Sequence, residues 1–408
     1  MSAQFREQAL DYHRGGKPGK ICVSSHKRID THKELSLAYT PGVAEPVREI
    51  FKNPNTVNEY TIKGNLVAVI TDGSAVLGLG NVGPLAAKPV MEGKAVLFKR
   101  FADIDVFNIE LDTQDVDEIV NTIKNIAPTF GGINLEDISA PRCFEIEQRL
   151  IDELDIPVFH DDQHGTAIII AAGLINALEI QGKSSDLAQI VIAGGGSAGL
   201  ATLGLLENLG FKKENMILVD RNGVVSEDRK DKVNKYKAEF AADTNKQTLS
   251  DAMSGADVFI GVARGDLVTQ EMVKSMAAKP IIFALSNPDP EISPADAFAC
   301  RDDLLMATGR SDYPNQVNNV LGFPYIFRGA LDAKSKEINT EMKIAAVHAL
   351  KDLAKLPVPD SVLQTYQIDS LSYGADYIIP KPFDPRLIDT VPKAIFEAAV
   401  SSGVSCLT

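Results

Sequence analysis

The sequence holds two groups of residues whose types and spacing could do chemistry, and the first is a glycine-rich segment. Glycines stand at positions 194, 196 and 199, which matches the pattern GxGxxG. The strand-like run Gln189–Ala193 precedes them, a helical pattern over Ala198–Asn208 follows them, and Asp220 closes the next predicted strand. A strand, a glycine turn and a helix in this order, with an acidic residue about 20 positions further on, indicate a dinucleotide site.

Each part of this segment has a physical role in that interpretation. Gly194 would permit the tight turn, and Gly196 would let the backbone approach the pyrophosphate at the positive end of the helix. Asp220 could accept hydrogen bonds from the adenosine ribose, which favours NAD, whereas Arg221 could meet the additional phosphate of NADP, so both cofactors stay open. The residues predicted to bind the cofactor here are Gly194, Gly195, Gly196, Ser197, Ala198, Gly199, Asp220 and Arg221.

Carboxylates form the second group. They occur as two adjacent pairs, Glu136 with Asp137 and Asp161 with Asp162. Carboxylate oxygens are the ligands that hard divalent cations prefer, and Mg²⁺ or Mn²⁺ would keep positions open for substrate oxygens. The spacing of His160 and His164 would suit zinc if the chain were helical across both. We favour the carboxylates, because Asp162 is expected at a strand-to-helix junction.

The elements that must position these residues fall into two domains. At 408 residues the chain exceeds the roughly 250–300 residues at which a single core stops growing. Residues 161–390 alternate strands and helices, which predicts a Rossmann-type, doubly wound parallel sheet. It begins with a buried helix over Thr166–Ile180 that ends before Gly182. The predicted strands are Gln189–Ala193, Met216–Asp220, Asp257–Val262, Ile281–Leu285 and Leu304–Ala307.

Residues 1–160 mix helical and strand signals and are expected to form a smaller α/β domain. Leu66–Thr71 and Ala95–Phe101 are the strand candidates, and the glycine-rich stretch Gly78–Pro84 lies between them. That stretch is either a ligand-contacting loop or a plain turn. Near the C-terminus a helix is predicted close to Thr340–Lys355, and the proline-rich stretch Pro357–Pro385 is expected to wrap over the surface.

Composition narrows the class of protein. The 41 basic and 55 acidic residues give a net charge of -14, so nucleic acid is not expected as a partner. The four cysteines are scattered without a CxxC pair, which favours a reduced compartment. The first ten residues lack the apolar core of a signal peptide, and Thr166–Ile180 is too short to span a bilayer. We therefore expect a cytoplasmic protein with no membrane partner.

Several short motifs occur in an order that resembles a known enzyme family. They are Tyr39–Ala44, Thr71–Gly73, Gly78–Asn81, Glu92–Lys94, Leu135–Asp137, His160–Thr166, Ser286–Pro288 and Asn318–Asn319. Their types and order resemble the malic enzymes, and the match extends to about residue 390. It is nearest to the short bacterial form, without the acetyltransferase-like extension of a longer bacterial class. The resemblance implies an N-terminal substrate and metal domain, a dinucleotide-binding domain and a homodimer.

The resemblance also implies an activity and roles. The activity is oxidative decarboxylation of L-malate to pyruvate and CO₂ with reduction of NAD or NADP, dependent on Mg²⁺ or Mn²⁺. Tyr39 would be the general acid and Lys94 the general base, with Asp161 beside the lysine to tune its proton affinity. The metal ligands would be Glu136, Asp137 and Asp162, and Asn287 and Asn318 would lie near the substrate carboxylate and the nicotinamide.

One departure from the family pattern concerns the substrate carboxylate. Animal-type malic enzymes place an arginine in the segment after Thr-Asp-Gly, where this chain has Ser74-Ala75-Val76. Ser74 or backbone amides of the glycine-rich loop would have to take that role.

The general base, Lys94, must also be neutral to accept a proton. A lysine base therefore needs a lowered pKa, which we expect from burial or from a nearby metal ion.

Two other functions are compatible with parts of the pattern. The chain could be a dinucleotide-dependent 2-hydroxy acid dehydrogenase that does not decarboxylate, which product analysis would reveal. It could also be a catalytically silent dinucleotide-binding regulator. The presence of Tyr39, Lys94 and all three candidate metal ligands argues against a silent protein.

Overall fold

The computed structural model describes residues 3–16 and 18–407. A parallel sheet of four strands lies in its N-terminal half. Its strands are β1 (Leu66–Thr71), β2 (Asp105–Glu110), β3 (Gly132–Leu135) and β4 (Val158–His160). They lie in the order β2-β1-β3-β4, and every neighbouring pair is parallel. All six residues of β1 are buried, as expected for a central parallel strand covered on both faces.

A larger sheet follows in the second half. Its strands are β5 (Ile190–Ala193), β6 (Met216–Asp220), β7 (Gly223–Val224), β8 (Val258–Gly261), β9 (Ile281–Ala284) and β10 (Leu305–Thr308). The order is β10-β9-β8-β5-β6-β7, and only the short edge strand β7 runs antiparallel. The strand order reverses beside β5, which is the point where open parallel sheets bind ligands. The chain therefore has the predicted α/β class, with one parallel sheet and one that is parallel except for its edge strand β7.

The helices cover both sheets. In chain order they are α1 (Ala3–Arg14), α2 (His32–Ala38), α3 (Ala44–Lys52), α4 (Val57–Tyr60), α5 (Pro84–Ala102), α6 (Val116–Ile126), α7 (Arg142–Glu153), α8 (Thr166–Gln181), α9 (Ser197–Asn208), α10 (Lys235–Ala238), α11 (Leu249–Met253), α12 (Gln270–Ser275), α13 (Pro294–Cys300), α14 (Phe323–Asp332), α15 (Thr340–Leu353), α16 (Asp360–Tyr366) and α17 (Leu387–Ser401). Helix α8 ends at Gly182 in the left-handed conformation, as predicted.

One hydrophobic core joins the two sheets. It contains residues of β1 and α5 together with α8, β5, α14 and α17. Phe98 of α5 packs edge-on against Phe323 and Phe327 of α14, with ring centroids 4.7 and 5.4 Å apart. Burying one such ring contributes about 1.5–3 kcal/mol. The C-terminal helices therefore fix the position of the four-stranded sheet relative to the six-stranded sheet.

The predicted strand Ala95–Phe101 is wrong, because this run lies within helix α5. A short apolar run such as Ala95–Phe98 fits a buried strand and a buried helix equally well. The deciding signal is the helical spacing of the buried residues Met91, Ala95, Phe98 and Ala102 along the whole helix. As a helix, the segment turns Lys94 toward the end of the N-terminal sheet.

Two further expectations need correction. The proline-rich stretch Pro357–Pro385 does not only wrap the surface, because it forms α16 and buries Tyr377, Ile378 and Ile379. The apolar helix is also longer than predicted, since it runs without a break from Asp161 to Gln181. By length and composition it could cross a membrane, but 72% of its most apolar window is buried inside the protein. Such burial is typical of a core helix.

Candidate active site

A cavity of about 760 Å³ lies where the carboxyl ends of the two sheets meet. Residues after β3 and β4 line one side, and residues after β8 and β9 line the other. Loops after parallel strands gather at one edge of a sheet, so two sheets facing by these edges enclose a site between them. The predicted site residues that line the cavity are Lys94, Glu136, Asp137, Asp162, Ala198, Asn287 and Asn318.

Lys94 is the best-defined group of this cavity. It lies on α5 and is only 9% exposed. Its Nζ lies 2.6 Å from Oδ2 of Asp161 and 2.9 Å from Oε1 of Glu136. The same ammonium lies 4.1 Å from the centre of the Phe323 ring, at a distance where the aromatic face attracts a cation. The structure therefore places Asp161 beside the lysine.

The protonation of Lys94 differs from the sequence-based expectation. Burial by itself would lower the pKa of Lys94, but the adjacent carboxylates of Asp161 and Glu136 outweigh it, so the pKa is raised. Burial alone therefore does not give Lys94 the lowered pKa that was expected, and lowering by a nearby metal ion stays a prediction. The sequence could not show this, because the three residues come from α5, the end of β3 and the end of β4.

Glu136, Asp137 and Asp162 form a cluster that fits a hard cation. Each offers one carboxylate oxygen, and these oxygens all lie within 4.8 Å of one another. Asp137 adopts a φ of 54°, and its backbone N–H donates to Oδ2 of Asp162 at 2.8 Å. Two of the three residues are buried, and one face of the cluster opens to the cavity. Three oxygen donors with an open side suit Mg²⁺ or Mn²⁺.

The two aspartates at 161 and 162 lie on a single π-helical turn, Asp161–Gly165. Gly165 is required there, because a Cβ at this position would lie 1.8 Å from Oδ1 of Asp161. His160 ends β4, so the chain is not helical across both histidines, in keeping with the choice of carboxylates over zinc. A π-helical turn is often found at functional sites.

A buried carboxylate outside the predicted set supports this turn. Glu147 of α7 accepts hydrogen bonds from the backbone N–H of His160 at 2.8 Å and from the Gln163 side chain at 2.9 Å. Nε2 of His164 lies 3.0 Å from the same carboxylate. Burial by itself would raise the pKa of Glu147, but His164 and Lys343 lower it to about 2. Its position in an ordinary amphipathic helix gave no sequence signal.

Asparagines complete the cavity wall. Asn319 donates its amide to Oδ2 of Asp161 at 3.1 Å, so it orients the carboxylate that contacts Lys94. Asn318 caps the short 3-10 turn that follows, and Asn287 lines the cavity beside the glycine-rich loop. A Cβ on Gly78 would lie 2.5 Å from the carbonyl oxygen of Asn287. The loop Gly78–Pro84 thus approaches the backbone of Asn287 so closely that position 78 has no room for a side chain.

The structure does not bring Ser74 to the cavity. Its hydroxyl donates to Oδ1 of Asp72 at 2.5 Å and accepts from the backbone N–H of Ser139 at 2.9 Å. Asp72 is fixed in turn by Arg142 at 2.9 Å. Because both hydrogen-bonding functions of this buried hydroxyl serve the fold, the expectation that Ser74 binds a substrate carboxylate is not supported.

Tyr39 also lies apart from the side chains that line the cavity. It follows α2 and is 69% exposed. Helices α2 and α3 bury none of their residues, although they carry apolar side chains such as Leu37 and Phe51. The segment of residues 32–60, called the arm below, therefore presents Tyr39 outward from its own chain.

The glycine turn lies between β5 and α9 as predicted. Gly194 adopts a φ of 129°, and a Cβ on Gly199 would lie 1.9 Å from the carbonyl oxygen of Gly194. A Cβ on Gly196 would meet no atom within 4 Å, so it would point into open space at the helix N-terminus. Ser197 and Ala198 begin α9 directly after it. A glycine turn with open space at a helix N-terminus leaves room for an anionic group such as a pyrophosphate.

A second cavity of about 530 Å³ adjoins this turn, and Asp220 and Arg221 line it. The Asp220 side chain is only 5% exposed and forms 3.0 Å ion pairs with Arg229 and Lys237. It also accepts from the backbone N–H of Asn222 at 2.9 Å. Asp220 is therefore largely occupied by protein donors, and the two cations beside it were not predicted because they lie 9 and 17 positions further along the chain.

Known proteins resemble this chain over both halves. The family model for the malic enzyme N-terminal domain matches residues 18–151, and the model for the malic enzyme NAD-binding domain matches residues 163–369. The NADP-dependent malic enzyme of Halomonas elongata is 58% identical over 405 residues, which cover 99% of this chain and 96% of the relative. The chain spans about half the length of several other relatives, among them the NADP-dependent malic enzyme of Rhizobium meliloti at 55% identity, of which it covers 53%.

Solved structures give the same result. The malic enzyme from Pyrococcus horikoshii matches with a TM-score of 0.90 and 43% identity over 99% of this chain and 92% of that one. The match therefore includes both sheets. With two family models covering most of its length and a full-length relative at 58% identity, the chain belongs to the malic enzyme family.

Proposed function

We propose that the cavity binds L-malate next to a divalent cation and the nicotinamide ring. Lys94 and Tyr39 would transfer the protons, and Asp161 would orient Lys94 and tune its proton affinity. The reaction follows from the family: malic enzymes oxidise and decarboxylate malate to pyruvate and CO₂ with NAD(P). The observation that carries the assignment of the site is the buried Lys94 beside Glu136, in one cavity with the carboxylate cluster and with Asn287.

Glu136, Asp137 and Asp162 would hold the cation, because their oxygens lie close together and one side stays open. A divalent cation bound there would act as a Lewis acid that polarises the carbonyl oxygen of the ketone formed from malate. Glu136 contacts Lys94 as well. When a cation shares the charge of Glu136, less of that charge remains to hold the proton on the lysine, which favours the neutral base.

Lys94 would take the proton of the malate hydroxyl as the hydride leaves carbon 2 for the nicotinamide. Asp161 accepts a hydrogen bond from the ammonium and is itself held by Asn319, so it fixes the direction of Nζ. Asn287 and Asn318 would contact the substrate or the nicotinamide amide from the opposite wall. With Ser74 engaged elsewhere, backbone amides of the loop Gly78–Pro84 are the remaining sequence-based candidates for the substrate carboxylate.

Tyr39 would protonate carbon 3 of the enolate from a second copy of the chain. Its exposure and its absence from the cavity wall argue against a role within its own chain. The arm exposes large apolar side chains, and Phe51 is 89% exposed. Apolar surface of this kind marks an interface. In the proposed two-fold dimer, each arm lies at the active site of the partner, and the two contacts are equivalent. The proposed assembly is therefore a homodimer with shared active sites.

Mixed dimers test this arrangement. Lys94→Ala and Tyr39→Phe chains, each impaired alone, are refolded together in equal amounts. If Tyr39 acts in the partner's site, half of the dimers are mixed and each contains one intact site, so pyruvate formation recovers to about a quarter of the wild-type rate. Recovery no greater than the sum of the separate variants would place Tyr39 in its own chain or outside the mechanism.

NADP is the proposed cofactor. Asp220 is screened by Arg229 and Lys237, so it would neither bind the ribose hydroxyls freely nor repel a 2′-phosphate. Arg221 and Arg264 line the same cavity. Lys237→Ala should lower kcat/KM for NADP more than for NAD, whereas Lys235→Ala, an exposed lysine on the same helix, should change neither. An equal loss for both cofactors would remove this assignment.

The overall function is tested by following nicotinamide reduction with L-malate and Mn²⁺, with NADP or NAD, while pyruvate is measured. One pyruvate per reduced cofactor is expected. Accumulation of oxaloacetate without pyruvate would favour the alternative, a 2-hydroxy acid dehydrogenase that does not decarboxylate. A cytoplasmic location remains part of the proposal. Burial of the apolar helix Asp161–Gln181 argues only against a membrane span there.

A further inference from the structure

Glu291 is a fully buried carboxylate that the proposed mechanism does not use, and its exposure is 0%. It lies in the loop after β9. Its Oε1 accepts the backbone N–H of Ala263 at 3.0 Å, and its Oε2 accepts the backbone N–H of Ser286 at 3.1 Å. Ala263 follows β8 and Ser286 follows β9. One carboxylate therefore joins the ends of two adjacent strands.

Strand β8 has a glycine where it faces the Glu291 side chain. Gly261 ends β8, and a Cβ at that position would lie 2.3 Å from Cδ of Glu291. Within residues 3–16 and 18–407, no lysine or arginine forms an ion pair with Glu291. A buried carboxylate without a cation is costly, and burial raises the pKa of Glu291. Backbone N–H groups are the donors that compensate it.

The two joined strand ends form part of the dinucleotide site. Ala263 lines both the active-site cavity and the cavity beside Asp220, so it stands between the two. Ser286 lines the active-site cavity next to Asn287. A shift of either backbone segment would move the wall against which the cofactor must lie.

We propose that Glu291 is a positioning residue that holds the strand ends at Ala263 and Ser286 in the geometry that binds the dinucleotide. The proposal rests on the dinucleotide site described above. Glu291 is fully buried and lines neither of the two cavities. It acts through two backbone hydrogen bonds, each of which requires an acceptor and no donor.

Glu291→Gln tests the requirement for two acceptors. The amide has the same shape, but its NH₂ group would face one of the two N–H donors, which leaves that buried donor unpaired. The dissociation constant for the dinucleotide, measured by calorimetry, should rise roughly tenfold. Mn²⁺ affinity, measured by the same method, should stay within about twofold, because the residues of the carboxylate cluster directly follow β3 and β4 of the other sheet.

Asp289→Asn is the matched control, because it makes the same chemical change on an exposed side chain of the same loop. It should leave both affinities unchanged. Gly261→Ala is a second variant, which displaces the carboxylate without removing it and should weaken dinucleotide binding in the same direction.

Unchanged dinucleotide affinity in a folded Glu291→Gln protein would overturn the proposal, as would equal weakening of dinucleotide and Mn²⁺ binding. If neither Glu291→Gln nor Gly261→Ala folds, Glu291 serves the fold and the proposal is likewise wrong. Failure of the unmodified protein to bind NAD or NADP would instead refute the proposed dinucleotide site, so the two failures are distinguishable.

Discussion

The two residues assigned to proton transfer lie in opposite surroundings. Lys94 is buried between two carboxylates and an aromatic ring, each supplied by a different element of the same chain. Tyr39 lies on the arm, where α2 and α3 bury no side chain. In the proposed dimer, one half of the site is preorganised within a single chain, and the other half, which carries Tyr39, comes from the second copy. Preorganised groups need no rearrangement when the substrate binds.

The largest expected effect concerns the buried half. Asp162→Asn removes one charged ligand from a cluster whose oxygens lie within 4.8 Å of one another. Turnover of malate with Mn²⁺ should fall about a thousandfold or more, because the Lewis acid contributes several kcal/mol. The dissociation constant for NADP should change little. Near-normal turnover in this variant would remove the cation from the carboxylate cluster.

Lys94→Ala should lower the rate of malate oxidation nearly as much as Asp162→Asn lowers malate turnover. Loss of a general base costs about 10²- to 10⁴-fold, and by microscopic reversibility the variant should also lose reduction of oxaloacetate. Tyr39→Phe should keep that reduction better than it keeps conversion of oxaloacetate to pyruvate, because only the acid is missing. If Tyr39→Phe loses both reactions in equal proportion, the two residues do not divide the proton transfers as proposed.

A substitution in the arm should weaken the association of two copies of the chain. Phe51→Ser removes a side chain that is 89% exposed in the isolated chain, so the free chain should not be destabilised. If the arm contacts a second copy, the change should weaken the dimer at least about tenfold in analytical ultracentrifugation and reduce activity at low protein concentration. Leu187→Ser, which changes an exposed leucine far along the sequence, is the control. An unchanged assembly would show that Phe51 has no place in the interface.

The smallest expected effect is a pH dependence of protein stability that comes from Glu147, the carboxylate that supports the turn Asp161–Gly165. The pKa of Glu147 is lowered to about 2 from an ordinary value of 4.5. A lowered carboxyl pKa contributes stability above the ordinary value, on the order of 3 kcal/mol, which is lost as the pH falls from about 4.5 toward 2. The melting temperature of wild type should exceed that of Glu147→Gln at pH 6, and the difference should shrink over this range. A difference independent of pH would contradict the assigned charge.

Much of the fold was readable from local pattern. The buried strand Leu66–Thr71 and the strand Met216–Asp220 have the predicted bounds, and α8 ends at the predicted Gly182. The glycine turn has the predicted neighbours, since β5 precedes it and α9 follows it. Periodicity, glycine and strand propensity act within a few residues, so the sequence shows them directly. Ala95–Phe101 failed because its apolar run carried no decisive local period.

The candidate site was predictable as a set of residue types, but its chemistry was not. The motifs gave Lys94, Asp161 and the carboxylate cluster, and the fold brings these into contact. Their protonation depends on neighbours 42 and 67 positions away, which only the folded chain supplies. The domain limits 1–160 and 161–390 remain a prediction, because the shared core crosses between the halves.

The sequence by itself determined the parallel α/β class, the place of the dinucleotide turn and the residue types that could bind a cation. Only the tertiary structure decided that Lys94 keeps a raised pKa, that the Asp220 carboxylate is occupied, and that Tyr39 faces outward. The physical reason is that residue type and spacing are local properties. Charge state, hydrogen-bond occupancy and exposure are set by atoms from distant segments, which meet only when the chain folds.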